Sequence, residues 1–338
     1  MRSRRKLLFS LIPLLVLLVS AELWFRAHPH RDAYETNSGL VVADDELVWR
    51  LRPIEAGPLA TNSLGLRDGP YRAGADAKVL VLGDSVSWGN GITDPRRVFP
   101  SLLEGALDAA RPGRVHEVIN AGVPGYSTFQ ELRYFELVGA DLEPDAVLLQ
   151  FTLNDVVERY RALTAYGGNN YFLGVDTRRA ARGLYGVLLR RSRTFEAAAR
   201  WVQSRARARE LYVARSLAVD PLAPALDRAW RRTLAEVDGV RLQAAGRGLP
   251  LLLLIAPFRF QADDPIGLRQ PQDRLIAYAR EHDVQYVDVL AHLDEAPFAP
   301  AAAFNDASHF SELGHEWVAG LLLEPVLAML ESGSASAR

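Results

Sequence analysis

Two short stretches of this sequence hold residue types that could carry out acyl transfer through a serine. The first is Gly83-Asp84-Ser85, which ends the apolar run Val79-Leu80-Val81-Leu82. Four apolar residues, two of them β-branched, read as a strand buried on both faces, and the glycine ends it. A serine placed there stands at the carboxyl end of a parallel strand. Open α/β sheets bind ligands at that end, and the dipole of a following helix favours negative charge there. The second stretch is Asp306-Ala307-Ser308-His309. Attack by a serine hydroxyl needs a base to take its proton, a carboxylate to orient the base, and donors for the oxyanion. An aspartate three residues before a histidine can meet one ring nitrogen within a single turn, so that the other nitrogen faces Ser85. Taken alone, each stretch is also ordinary turn chemistry.

Two further strand ends offer donors. Asn120-Ala121-Gly122-Val123-Pro124-Gly125 follows a second apolar segment, and a glycine amide there can approach a ligand with no Cβ in the way. Leu153-Asn154-Asp155 follows a third. Separately, Gly122 and Asn154 read as turn residues. In their order, and with Gly89 closing the serine block, the four blocks resemble the SGNH/GDSL hydrolase superfamily; Val86 stands where the namesake motif has leucine. The resemblance covers residues 78–330 except for one long insertion. It implies Ser85 as nucleophile, His309 as base and Asp306 as its orienting carboxylate. It also implies an oxyanion hole made by the amides of Ser85 and Gly122 and the side chain of Asn154, with no metal or other cofactor. Asp84 and Asp155 read as carboxylates that tie their turns together. His116, His282 and His292 are scattered without zinc-like spacing, and His315 reads as a packing or capping residue. No glycine-rich phosphate loop is present.

The elements that must bring these blocks together alternate along the chain. Strands are expected at Lys78–Asp84, Val115–Asn120, Asp145–Leu153, Leu249–Ala256 and Gln285–Leu290. Helices are expected at Phe99–Ala110, from Ser127 (which makes a capping-box pattern with Gln130), at Gln272–Glu281 and from Ser311 to about Leu330. Buried strands alternating with helices mean an α/β fold with a parallel sheet and right-handed crossovers. The resemblance adds a three-layer, flavodoxin-like arrangement, five strands in the order 2-1-3-4-5. One connection is too long for this pattern, with more than ninety residues between Asp155 and Leu249. It reads as a helical insertion at about 159–224, rich in arginine (Arg178, Arg179, Arg182, Arg190, Arg191, Arg193), followed by a helix at about Ala225–Ala245. That basic surface is either a solvated helical face or a contact for an anionic membrane or acidic polymer. Residues 26–77 form an accessory region, in which Leu47–Leu51 suggests a small strand pair. There Thr61–Arg67 is either a lip over the active site or a buried turn pinned by Asn62 and Arg67. The hydrolase-type domain is placed at 78–332.

Composition narrows the rest. The apolar share of 49% and charged share of 24% are those of a folded protein, and a net charge of -2 argues against general nucleic-acid binding. Without cysteine there is no disulfide, thiolate metal site or cysteine nucleophile. Residues 1–25 join a basic flank (Arg2, Arg4, Arg5, Lys6) to an apolar run from Leu7, which is the pattern of an export signal. Cleavage near Ala21 would release the protein. Left uncleaved, Leu7–Phe25 is long enough to anchor it in the inner membrane, with the catalytic domain outside. The expected function is a metal-independent serine esterase acting on an O-acyl, chiefly acetyl, ester of an envelope glycan, a lipid or a small molecule. Two alternatives stand beside it: an O-acetyltransferase passing the acyl group to an exopolysaccharide hydroxyl, and a non-catalytic glycan-binding protein.

Overall fold

The computed structural model describes residues 2–28, 40–44, 46–57, 59–156, 191–195, 197–198 and 214–336. The chain opens with helix α1 (Arg2–Ala27) and an antiparallel pair, β1 (Val41–Asp44) and β2 (Val48–Leu51). Then come β3 (Ala77–Gly83), the single-turn α2 (Ser85–Trp88), α3 (Phe99–Ala110), β4 (His116–Gly122), α4 (Thr128–Leu137) and β5 (Ala146–Phe151). After the long connection follow α5 (Pro224–Ala245), β6 (Leu251–Ile255), α6 (Gln270–Glu281), β7 (Gln285–Asp288) and α7 (Glu312–Ser336).

Strands β3 to β7 pair in parallel in the order β4-β3-β5-β6-β7, which is 2-1-3-4-5 counted from β3. Alternation along the strands makes the three layers. Val79 and Val81 of β3 point to one face, where α3 supplies Phe99, Leu103 and Leu107 and α7 supplies Val318, Leu322 and Val326. Leu80 and Leu82 point to the other, against Phe135 of α4, Trp230 and Val237 of α5 and Leu275 of α6. The stretch Glu312–Ser332 is long and apolar enough to cross a membrane, yet its apolar face is what covers the sheet. Strand β7 stops two residues earlier than expected because the Asp288 carboxylate accepts the Leu290 N–H (3.1 Å) and starts a helical turn there.

Strand β4 is an edge, and its outward amides are covered by side chains. Asp108 takes the His116 N–H (2.8 Å), Glu104 that of Val118 (2.9 Å) and Asp68 that of Asn120 (3.0 Å). Arg72 bridges these acids, pairing with Glu104 and with Glu117 (2.8 Å). A strand edge occupied in this way offers no template to another chain.

The accessory region packs on the same domain. Tyr126 donates its hydroxyl proton to Trp49 O (2.6 Å), and Gln130 Nε2 donates to Leu47 O (3.1 Å). Of the two readings of Thr61–Arg67, the buried turn fits. Asn62 Oδ1 accepts from Leu64 N (3.0 Å) and Leu66 N (3.1 Å). The buried Arg67 donates to Trp88 O (2.7 Å), Gly89 O (2.9 Å) and Ile92 O, so a cation closes the carboxyl end of α2. Of the arginines named in the insertion, Arg178, Arg179, Arg182 and Arg190 lie outside the described residues. Residues 192–194 meet α1: Glu22 accepts from Ser192 Oγ (2.9 Å), Arg193 N (3.0 Å) and Thr194 N (3.0 Å).

Candidate active site

Strand β3 ends where a side chain would not fit, since a Cβ on Gly83 would stand 2.6 Å from Gln150 Oε1. Gln150, buried on β5, uses that oxygen to accept from Ser87 Oγ (2.7 Å), Ser87 N (3.1 Å) and Asp84 N (3.3 Å). Asp84 then caps α2, its Oδ1 accepting from Val86 N (2.8 Å). The amides of Asp84, Val86 and Ser87 are thus engaged, and that of Ser85 has no partner among the described residues. Gly89 at φ 78° ends the turn.

The loop before α7 brings the second block to the same place. Asp306 and His309 do not meet through helical spacing, as expected from their separation, but through a bend that Asp306 builds itself. Its Oδ1 accepts from Ser308 N (2.9 Å) and His309 N (2.9 Å), and its Oδ2 lies 2.7 Å from His309 Nδ1. Backbone bonds hold the loop, with Asn305 N donating to His309 O (2.9 Å) and Arg259 N to Ala307 O (2.9 Å). The far ring nitrogen, His309 Nε2, lies 2.8 Å from Ser85 Oγ. Burial raises the Asp306 carboxyl, but the hydrogen bond and charge of His309 with the two backbone donors outweigh it and hold the group at about 2. An ionised carboxylate can only accept, so Nδ1 carries its proton and Nε2 is left to receive that of Ser85.

Asn154 follows β5, and its Nδ2 donates to Asp84 Oδ2 (2.5 Å). Ser85, His309, Asp306 and Asn154 therefore converge at the carboxyl rim of the sheet. A family model, that of GDSL-like lipases and acylhydrolases, matches residues 81–317. The chain belongs to this family. It is a serine ester hydrolase of the SGNH/GDSL type, and ester substrates follow from that. No curated protein matches this GDSL-like hydrolase by sequence. Among solved structures it is similar to the lipase/acylhydrolase from Enterococcus faecalis, at 15% identity and TM-score 0.42 over 74% of this chain and 95% of that one. Axe2, an acetylxylan esterase from Geobacillus stearothermophilus, gives 17% identity and TM-score 0.44 over 77% and 96%. TesA gives 17% identity and TM-score 0.44 over 76% and 99%.

Gly122 is the one predicted site residue of this hydrolase that the geometry takes elsewhere. Val123 N donates to Gly83 O (3.1 Å), so the odd-numbered amides of this strand end face β3. The Gly122 amide therefore points to the outer edge, where it donates to Asn120 Oδ1 (3.0 Å). Its missing side chain has another use, since a Cβ would stand 2.5 Å from Trp88 N and block the close approach of α2. The amide left without a partner among the described residues at this strand end belongs to Gly125. It is the third residue of a type II turn from Val123 to Tyr126, with φ 81° and a closing bond of 3.0 Å. Pro124-Gly125 is the sequence signal for that turn. Gln150 was also legible, as a lone amide in the apolar run Val147-Leu148-Leu149-Gln150-Phe151.

Among the described residues, the other histidines do not join the site chemistry. Buried His315 accepts the Phe99 N–H through Nδ1 (3.2 Å) and so caps α3. Burial, then the charges of His309 and Arg67, hold it down at about 3. No cluster of metal-ligating side chains occurs among the described residues.

Proposed function

We propose that Ser85, His309 and Asp306 are the acyl-transfer triad, and that the substrate is an O-acyl, chiefly acetyl, ester on a glycan or lipid of the cell envelope. The observation that carries the triad is the pair of contacts from His309, 2.8 Å to Ser85 Oγ and 2.7 Å to Asp306. Ser85 Oγ attacks the acyl carbon as Nε2 takes its proton, and the alkoxy group leaves with that proton. Water then attacks the acyl-enzyme and gives one of its own protons to His309 Nε2, which passes it to Ser85 Oγ as the acyl–Oγ bond breaks and the acid leaves. The oxyanion is held by the Ser85 amide and the Asn154 side chain, with the Gly125 amide in place of that of Gly122. Ser85→Ala is expected to abolish hydrolysis of p-nitrophenyl acetate in a folded protein. Retained turnover removes Ser85 from this role.

The envelope part of the reading is supported by α1. Leu15, Leu17 and Leu23 are each more than 60% exposed, an apolar helix surface that the other described residues do not cover. With the basic flank at its start, this supports an inner-membrane anchor with the catalytic domain outside. The mature protein is expected to begin at Met1 on N-terminal sequencing and to stay with the membrane fraction in alkaline carbonate. A mature chain that begins at Glu22 overturns the anchor.

A further inference from the structure

We propose that Asp84 is a positioning residue for turnover: it aims the Asn154 amide at the acyl oxygen and ties that donor to the turn carrying Ser85. The inference rests on the acyl-transfer reading above. Asp84 is wholly buried, and its two oxygens serve different elements. Oδ1 takes the Val86 N–H (2.8 Å), which starts α2 and so sets Ser85 at the end of β3. Oδ2 takes Asn154 Nδ2 (2.5 Å) and lies 3.0 Å from the Thr152 hydroxyl oxygen, whose one proton goes to the nearer Asn154 Oδ1; both residues stand just past the end of β5. One carboxyl group thus joins two strand ends that meet at the reacting atoms.

The chemistry of the partners fixes which way the asparagine faces. A carboxylate oxygen accepts and does not donate, so the Nδ2 end of the Asn154 amide must face Asp84. The Oδ1 end lies against the Thr152 hydroxyl, a donor. With both ends held, one Nδ2–H points to Asp84 and the second has no partner among the described residues. An oxyanion donor lowers the barrier only if it is already aimed when charge develops, because reorienting a loose dipole during the reaction takes back what the hydrogen bond gives. Asparagine at position 84 would undo this arrangement. If its oxygen kept the Val86 N–H, its NH2 group would confront the Asn154 NH2 group, donor against donor.

The test is a double-mutant cycle on the full-length protein, reading kcat and KM for p-nitrophenyl acetate and the melting temperature. Asn154→Ala should lower kcat by about 100- to 1,000-fold, the scale of one oxyanion donor. Asp84→Asn should lower kcat by roughly 10- to 100-fold with KM little changed, since the aimed donor acts in the transition state. In the Asn154→Ala background the Asp84→Asn loss should largely disappear, because residues acting through one group are not additive. A full additional loss in the double variant, or an unchanged kcat in Asp84→Asn, overturns the proposal. Should Asp84→Asn fail to fold, Thr152→Val leaves the carboxylate in place and removes only the hydroxyl beside Asn154. Its kcat loss must likewise vanish without Asn154, and a Thr152→Val enzyme with full kcat overturns the proposal. Failure of the underlying reading looks different: Ser85→Ala would then keep its turnover whatever is done to Asp84.

Discussion

On the rim, the half-exposed Asp306 carboxylate accepts three hydrogen bonds, two from backbone amides and one from His309. In the core, Glu131 on the first turn of α4 is almost wholly buried, and neither of its carboxyl oxygens has a hydrogen-bond partner among the described residues. The two groups are driven in opposite directions. Asp306 is held at about 2, burial being outweighed by His309 and the backbone donors. Glu131 is pushed well above the usual carboxylate range, by burial first and then by the charges of Asp155, Asp84 and Glu236. Asp155 is raised as well, by burial and by Asp84, although its Oδ2 accepts from Thr152 N (2.7 Å). The difference teaches what a carboxyl group is for in this molecule. Where an imidazole and backbone dipoles answer it, the charge is kept and can orient a base. Where nothing answers it, the group stays protonated and behaves as a small polar filler of the core.

The strongest way to break this comparison is to remove the charge on the rim. Asp306→Asn keeps the size of the side chain, but its NH2 group can meet Nδ1 only as donor, which forces the proton of His309 onto Nε2. That tautomer cannot receive the Ser85 proton. A fall in kcat of about 10,000-fold is expected, as for the same change in a serine triad. Because the parent group stays ionised down to about pH 2, titration of Asp306 itself adds no pH dependence to that loss between pH 6 and pH 8. A loss of only a few-fold would mean that the 2.7 Å contact does not set the tautomer.

Much of this site was legible before any coordinates, for physical reasons that differ by residue. Ser85 and Asn154 sit at the ends of strands so apolar that their limits are set by burial alone, and a parallel sheet brings such ends to one rim. The sheet order came from resemblance, and apolar patterning by itself does not determine it. Gly122 shows where a one-dimensional reading stops. Whether its amide faces β3 or the edge depends on the pleat, and a one-residue choice reverses the direction. The mechanism joining Asp306 to His309 was misread for a related reason. A spacing of three suits a helix, whereas Asp306 uses its own carboxylate to make a non-helical bend of the same span. Glu131 carried no signal at all. A glutamate three residues past Thr128 looks like an ordinary first-turn acid, and only the packing of α4 against α5 and β3 reveals that it is buried.

The core side of the comparison is sharpened by Glu131→Gln, with a smaller effect confined to stability. A carboxyl whose folded pKa is raised binds its proton more tightly than in the unfolded chain. Stability is therefore complete below the unfolded pKa, near 4.3, and falls as pH rises from there toward the folded value. Each pH unit crossed in that window removes about 1.4 kcal/mol per group. Glutamine is neutral throughout and escapes that loss, although its NH2 group enters a site with no partner ready for it. The variant is thus expected to melt at or below the parent at pH 5 and to gain on it by pH 8, with kcat unchanged. Melting curves at the two pH values decide the point, because only the change in the difference reports the proton. A deficit of the same size at both would mean that Glu131 is ionised and paired in solution, and the contrast with Asp306 would no longer hold.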